Sequence, residues 1–344
     1  GALDVRATGI NEKMKLAAAL AIADLAKQHV PDIVNKAYGE SKLAFGKTYL
    51  IPKPLDPRLI TTIAPAVAKA AMESGVAKTK IEDWEAYELD LQERIGIDQR
   101  LMARVVTRAK KDPKKVVFAE ADNPKILKAA QIMRDEKIGI PILLGNKQKI
   151  NKLIKANSLD LNDVTVIDPS EDKSKLKQFG QLLYDKRKRK GMTLYEAKKL
   201  MKERNYFGAM MVEVGEGDAL ISGLTKDYPR TILPSLQVIG VKKGVDKVAG
   251  MYIMNTDKGP LFFADTTVNE NPTADELVEI IGLTANGVRF FDIEPTIAIL
   301  SYSNFGSAKG KVPVKTALAT AKAKEQFPDL VIEGEMQANV ALDE

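Results

Sequence analysis

The sequence has no cysteine, one histidine and few aromatic residues. The missing cysteines exclude disulfides, thiolate metal sites and a cysteine nucleophile. One histidine cannot form a multi-histidine metal site, and His29 lies near the end of a helical pattern, where its charge would complement the helix dipole. Aromatic residues make up 6% of the chain, which disfavours the base-stacking surface of a nucleic-acid site. No apolar run approaches the length of about 20 residues that a membrane helix needs.

What is present indicates a globular protein of two or three domains, because 45% of the 344 residues are hydrophobic and 28% are charged. The net charge of +6 comes mostly from lysines mixed with acidic residues on amphipathic helices, which is typical of solvated surfaces. We therefore expect neither a nucleic-acid nor a membrane partner. No signal peptide is visible, so we expect a cytoplasmic protein. The chain starts at Gly1 and enters a helix within about ten residues, so we expect a piece of a longer protein.

Helices dominate the first part of the sequence. Asn11 is expected to cap a helix that runs to about Gln28, and this helix is apolar on nearly every face, which predicts burial inside a larger domain. Another helix follows Asp56-Pro57 and is expected to break near Pro65, because proline lacks the N–H that continues a helix. A basic amphipathic helix from Asp98 to Lys111 is predicted to link two domains.

From Lys114 onward, short apolar strands alternate with helices, which predicts a parallel sheet with helices on both faces. A turn at Asp257–Gly259 predicts a β-hairpin. Thr273 and Glu276 form a capping-box pattern that opens a helix. Thr296–Leu300 is predicted to be a buried strand.

A loop rich in hydroxyl residues follows that strand and contains Ser301, Ser303, Gly306 and Ser307. In open α/β sheets, ligands bind at the carboxyl ends of strands, and a loop before a helix N-terminus can offer N–H groups to an anion. The segment matches no standard phosphate-loop fingerprint. An ordinary strand-loop-helix connection with capping serines explains it equally well.

Two further segments are candidates for anion binding. Lys186–Lys190 consists of five consecutive cations, which indicates either a solvated helix end or a site that holds a polyanion. Ser222, Gly223 and Thr225 form a second loop of small and hydroxyl residues after an apolar strand. Asp218 and Asp265 lie at strand edges, where carboxylates usually act as caps.

Longer motifs resemble two known families. The segments Gly1–Ala7, Leu43–Gly46 and Tyr49–Leu59 resemble the C-terminal end of bacterial malic enzymes, over about residues 1 to 95. From about residue 98, the chain resembles phosphotransacetylase, and the motifs that carry this resemblance are Lys188–Thr193, Tyr206–Met211, Ser222-Gly223, Leu261–Asp265, Leu300–Ser303 with Gly306–Ala308, and Glu333–Gln337. In this order, the two families resemble the bacterial hybrid NADP-dependent malic enzymes, which carry a fused phosphotransacetylase-like domain.

The resemblance implies an α/β fold in which a two-lobed, phosphotransacetylase-like parallel-sheet domain follows a helical C-terminal piece of a Rossmann-type malic enzyme domain. Residues 1–97 would be the end of the NAD(P)-binding domain with linker helices. Residues 98–243 would form lobe I. Residues 244–344 would form lobe II, incomplete at its C-terminus.

The resemblance also implies a function. The parent enzyme would oxidise malate to pyruvate and carbon dioxide with NADP and Mg or Mn, bound outside this chain. This region would bind acetyl-CoA or CoA as an allosteric and oligomerisation domain in a homo-oligomer, with no catalytic or metal-binding residue of its own. The alternatives are an active phosphate acetyltransferase and a structural fragment without a ligand.

Individual residues follow from the same resemblance. Arg187 matches a family arginine that contacts CoA phosphate. The expected binding set comprises Arg187, Ser222, Gly223, Thr225, Ser301, Ser303, Gly306 and Ser307. By contrast, Leu233 stands where active phosphotransacetylases carry an arginine implicated in CoA binding, and Asn339 stands where an aspartate is usual. These departures favour binding over catalysis.

Overall fold

The computed structural model describes residues 1–28, 30–40, 43–94, 100–256 and 258–343. The chain divides into two compact units, Gly1–Val238 and Ile239–Glu344. The predictions for His29, for the beginning of the linker helix at Asp98 and for Asp257 in the hairpin turn lie outside the described residues. The division into three regions at residues 97 and 243 stays a prediction.

The first unit begins with helices. They are α1 (Glu12–Lys27), α2 (Asp32–Ala37), α3 (Arg58–Glu73), α4 (Trp84–Glu93) and α5 (Arg100–Lys111). Asn11 caps α1 as predicted, because its side chain accepts a hydrogen bond from the Met14 N–H. The predicted burial of α1 inside a larger domain stays a prediction. Met14 packs into a core with residues of α3 and α4, but Leu16 and Leu20 are 61% and 57% exposed.

Helix α3 continues through Pro65, so the predicted break there is wrong. Proline removes one backbone donor from a helix, which normally costs about 3 kcal/mol. Here Pro65 is itself buried, and Ala64, Ala68 and Ala71 on either side of it pack into the core of the helical segment. Burial of the helix face therefore offsets the lost hydrogen bond.

A four-stranded parallel sheet follows, as predicted. Its strands are β1 (Lys114–Phe118), β2 (Gly139–Leu144), β3 (Thr165–Ile167) and β4 (Ala219–Ile221), in the order β3-β2-β1-β4. The helices between and after them are α6 (Pro124–Asp135), α7 (Lys147–Ala156), α8 (Lys173–Arg187), α9 (Leu194–Leu200), α10 (Arg204–Glu213) and α11 (Tyr228–Val238).

Hydrophobic cores cover both faces of this sheet. Successive side chains of a strand point to opposite faces. Val116 and Phe118 accordingly pack with Leu127 of α6 in one core, whereas Val117 packs with Phe179 of α8 and Phe207 of α10 in the other. The second core fixes α8 and α10 side by side at one face of the sheet.

The second unit combines two small sheets with helices. Its elements are the antiparallel hairpin β5 (Met251–Thr256) and β6 (Gly259–Ala264), then α12 (Ala274–Arg289), β7 (Thr296–Leu300), α13 (Lys311–Gln326), β8 (Val331–Met336) and α14 (Ala338–Ala341). Strands β7 and β8 are parallel. The prediction of a buried β7 is wrong except at Ile299, which packs with Val278 and Ala323. Leu300, which points to the opposite face, is 45% exposed.

Candidate functional site

A pocket of about 880 Å³ lies in the first unit, at the end of α8. Its volume falls within the range of about 300–1,000 Å³ that is usual for ligand sites. Its walls come from α8, the following 3-10 turn, α9, α10 and α11. The lining residues are Arg187, Lys190, Gly191, Met192, Glu196, Lys199, Leu200, Lys202, Glu203, Tyr206 and Gln237.

Local sequence explains how the chain turns around this pocket. A 3-10 turn, Lys188–Lys190, follows α8 and ends at Gly191, whose φ of +87° is a left-handed conformation that suits glycine. Thr193 and Glu196 then form a capping box that starts α9. These signals reverse the chain within a few residues, so α8 and α9 lie next to each other and both face the pocket.

Arg187 has the most unusual environment in this pocket. Its Nε atom is buried and has no hydrogen-bond partner within the described part of the chain. An unsatisfied buried donor costs about 1–3 kcal/mol, and more when the group is charged. A ligand with an acceptor atom at this position would remove that cost.

The pocket also carries an excess of positive charge. Arg187, Lys190, Lys199 and Lys202 line it, against two carboxylates. Both carboxylates already have partners. Glu196 accepts hydrogen bonds from the N–H and hydroxyl of Thr193, at 2.8 Å each.

The second carboxylate, Glu203, caps the N-terminus of α10. It accepts the Asn205 N–H at 3.0 Å and pairs with Lys226. Lys190, Lys199 and Lys202 form no ion pair with any residue that the structure describes. The surplus cations therefore favour an anionic ligand.

The Ser222 loop follows β4 in the same unit. The N–H groups of Gly223 and Thr225 bind the carboxylate of Glu120 at 2.8 and 2.9 Å. The Leu224 N–H and the Thr225 hydroxyl also donate to this carboxylate. Burial tends to raise the pKa of Glu120, but these hydrogen bonds outweigh it and hold the pKa below its ordinary value. The loop does bind an anion, and that anion is a side chain of the protein itself.

The Ser303 loop of the second unit also surrounds a carboxylate of the protein itself, that of Glu335. The Ser303 hydroxyl donates to Glu335 at 3.0 Å, and the Gly306 N–H donates to it at 2.6 Å. The Ser307 hydroxyl lies 3.2 Å from the Ser303 hydroxyl, and the Ser301 hydroxyl accepts the Ser303 N–H at 3.3 Å. The hydrogen bond from Gly306 lowers the pKa of Glu335, against the opposing effect of burial.

The structure thus brings the predicted residues together in three groups. Arg187 lies at the pocket, Ser222, Gly223 and Thr225 surround Glu120, and the Ser301–Ser307 loop surrounds Glu335. The first two groups belong to one unit and the third to the other, so a joint site remains a prediction. Asp218 and Asp265 act as caps, as expected: Asp218 accepts the Lys115 N–H at 2.7 Å, and Asp265 accepts the Gly250 N–H at 2.8 Å.

The sequence did not predict the roles of the buried carboxylates Glu120 and Glu335, or most of the residues that line the pocket. Glu120 follows the apolar strand β1 directly, but a single glutamate in that position has no distinctive spacing. Over the described ranges, no group of three or more histidine or acidic side chains lies close enough to hold a metal ion. No helix in those ranges is long and apolar enough to cross a membrane.

Comparison with protein families and curated proteins gives matches to both predicted families. Residues 100–344 match the family model described as "Phosphate acetyl/butaryl transferase". An NADP-dependent malic enzyme of Salmonella typhimurium is 41% identical over 348 aligned residues, which cover all of this chain and 46% of that protein. A phosphate acetyltransferase of Acetivibrio thermocellus is 34% identical over 70% of this chain and 74% of its own length. The predicted resemblance to both families is therefore confirmed.

Solved structures give the same answer for the fold. A phosphotransacetylase from Streptococcus pyogenes superimposes with a TM-score of 0.63 at 32% identity, covering 70% of this chain and 73% of that one. The predicted phosphotransacetylase-like α/β fold is thus confirmed. The chain spans about half the length of the malic enzymes that it matches.

Proposed function

This chain belongs to the phosphate acetyl/butaryl transferase family, and from that premise we propose that it binds acetyl-CoA or CoA in the pocket around Arg187. We infer that it acts as the regulatory and assembly region of an NADP-dependent malic enzyme. The observation that carries the proposal is the buried Arg187 Nε, which has no hydrogen-bond partner among the described residues, in a pocket with surplus positive charge.

The chemistry of CoA suits this pocket. CoA carries a diphosphate and a ribose phosphate, which are strong acceptors for a guanidinium group. Lys190, Lys199 and Lys202 supply further positive charge around Arg187, and Met192 and Tyr206 supply apolar surface for the rest of the molecule. A ligand of this kind would satisfy the Arg187 Nε and balance the charge at once.

Regulation is favoured over acetyl transfer because, by the resemblance, Leu233 stands where active phosphotransacetylases carry an arginine implicated in CoA binding. Leu233 lies on α11 and is 46% exposed, so this position supplies no charge to a phosphate. An effector that binds one conformation better shifts the population, and a coupling of about 1–3 kcal/mol gives effects of 5- to 150-fold. An active phosphate acetyltransferase is the second candidate, and it is favoured by the relative from Acetivibrio thermocellus with that name.

The malate-oxidising activity belongs to the proposed longer protein. NADP and Mg or Mn would serve that reaction, but the residues described here offer no cluster of acidic side chains that fits a metal ion. We therefore assign no step of malate oxidation to this chain. Self-association into a homo-oligomer and a cytoplasmic location are part of the same proposal.

Titration calorimetry with acetyl-CoA tests the binding site. Replacing Arg187 with Gln removes a charged hydrogen bond, which is worth about 1.5–3 kcal/mol, so we expect affinity to fall roughly 10- to 150-fold. Arg189→Gln is the matched control, because it makes the same charge change two residues away, outside the pocket lining. If both variants lost affinity equally, the loss would come from the change in net charge and not from the Arg187 site.

Two further results separate the alternatives. No heat at millimolar acetyl-CoA with the wild-type chain would favour a structural fragment without a ligand. Formation of acetyl-CoA from acetyl phosphate and CoA at an enzymatic rate, in the full-length parent, would establish the acetyltransferase alternative.

A further inference from the structure

Glu120 is a buried carboxylate that backbone N–H groups surround. It follows β1 and is only 2% exposed, yet none of the described residues forms an ion pair with it. Its charge is balanced by the N–H groups of Gly223, Leu224 and Thr225 and by the Thr225 hydroxyl. Successive N–H groups that converge on one anion form a stable cradle. Hydrogen bonds to the Glu120 carboxylate therefore join the beginning of loop 222–227 to the end of β1.

Loop 222–227 is in turn connected to the pocket wall. The Ser222 hydroxyl donates to Asn205 Oδ1 at 2.9 Å, and Asn205 is fully buried next to Tyr206 of the wall. Lys226 pairs with Glu203, which lines the pocket and caps α10.

A third connection runs through α11, which begins directly after the loop. This helix carries Gln237, whose side chain accepts a hydrogen bond from the Tyr206 hydroxyl at 2.8 Å. The loop thus contacts α10 at two places and continues into α11. These two helices supply one side of the pocket.

We propose that Glu120 is a positioning residue: its carboxylate holds loop 222–227, and the loop holds the α10–α11 side of the pocket in the shape that binds a phosphate-bearing ligand. Glu120 does not touch the ligand. The ligand part of this inference depends on the proposed function, whereas the coupling between Glu120 and the pocket wall does not.

Replacing Glu120 with Gln should disrupt this arrangement while keeping the size of the side chain. The amide has one acceptor oxygen, and its NH₂ group would face N–H donors that previously bound the second oxygen. We expect CoA affinity to fall roughly 2- to 30-fold, the range of couplings carried through a packed network. We also expect faster hydrogen exchange at the Asn205 and Tyr206 amides, at the beginning of α10.

Asp218→Asn is the matched control. Asp218 is likewise a carboxylate that accepts a backbone N–H, from Lys115 at the opposite end of β1, but among the described residues no hydrogen bond joins its side chain to loop 222–227. Affinities are measured at a temperature at which each variant is fully folded, because destabilisation alone then leaves the dissociation constant unchanged. A double-mutant cycle with Lys226→Met should be non-additive, since both changes interrupt one connection.

The outcomes are distinct. If the wild-type chain binds CoA, and Glu120→Gln matches Asp218→Asn in both affinity and hydrogen exchange, the inference is wrong and the proposed function stands. If the wild-type chain does not bind CoA, the proposed function fails, and unchanged exchange at Asn205 and Tyr206 in Glu120→Gln would also refute the coupling. Should Glu120→Gln not fold, the folded pair Ser222→Ala and Lys226→Met decides: unchanged affinity in their double variant would overturn the inference.

Discussion

Replacing Gly180 with alanine should push α9 away from α8. Gly180 lies in α8, and a Cβ atom there would come within 2.6 Å of Lys198 Cγ and 3.0 Å of Lys198 Cα in α9. Carbon atoms in contact normally lie about 3.5–4.0 Å apart, so the α9 backbone must move by a few tenths of an ångström and the Lys198 side chain must also shift. The nearest backbone atom belongs to a helix, so rotation of a side chain alone cannot relieve the contact.

The size of the effect follows from two opposing contributions. Overpacking of this kind costs about 1–3 kcal/mol. Alanine regains about 1 kcal/mol of helix propensity relative to glycine. We therefore expect a net destabilisation of about 1 kcal/mol. CoA binding should weaken as well, because α9 carries Glu196, Lys199 and Leu200 of the pocket lining.

Urea denaturation followed by circular dichroism measures the stability, and calorimetry measures the affinity. Gly287→Ala in α12 is the control, because its Cβ would meet only the flexible end of Met251, at 3.2 Å. We expect that variant to be as stable as the wild type or up to about 1 kcal/mol more stable. A Gly180→Ala protein that gained stability like the control would refute the close-approach argument.

Two other predictions concern caps and pH. Thr193→Ala and Thr273→Ala each break a capping box, so each should lower the free energy of unfolding by about 1 kcal/mol in urea denaturation. Only Thr193→Ala should weaken CoA binding, because of the two capped helices, α9 and α12, only α9 lines the pocket. Equal binding by both variants would contradict this. The depressed pKa of Glu120 predicts stability that is present above its unfolded pKa and lost as pH falls through the folded pKa. Stability measured from pH 6 down to about pH 3 should therefore fall less steeply in Glu120→Gln, and parallel curves for the two proteins would exclude Glu120 as the cause.

The sequence predicts the sheet well because its signals are local. Residues 116–119 form a continuous apolar run, which suits a parallel strand with helices on both faces. Local signals also mark the beginning of helix α6, because Asn123 caps it and Pro124 occupies its first turn. The capping box at Thr273 likewise marks the beginning of α12.

Elements that depend on tertiary packing are predicted poorly. Helix α8 has only a few buried residues, among them Phe179 and Leu183. Its mostly polar sequence therefore gives no clear apolar periodicity from which a helix could be predicted. Helix α11 contains Pro234 in its interior, which normally argues against a helix. The exposed leucines of α1 could not be predicted, because hydrophobic composition does not say which neighbours are present.

The candidate site is predictable only in part. Only the family resemblance singles out Arg187, because a cation run on its own is more typical of a solvated helix end. Glu120 binds Gly223–Thr225, more than 100 residues later in the chain. No periodicity or motif connects positions so far apart. Only the structure therefore shows that the Ser222 loop binds Glu120 and that the Ser303 loop binds Glu335.

A crystal structure of the chain with bound CoA tests the central claim most directly. We predict a phosphate oxygen within about 3.2 Å of the Arg187 Nε, in the pocket formed by α8 to α11. CoA bound elsewhere, with the Arg187 Nε still lacking a hydrogen-bond acceptor, would contradict it.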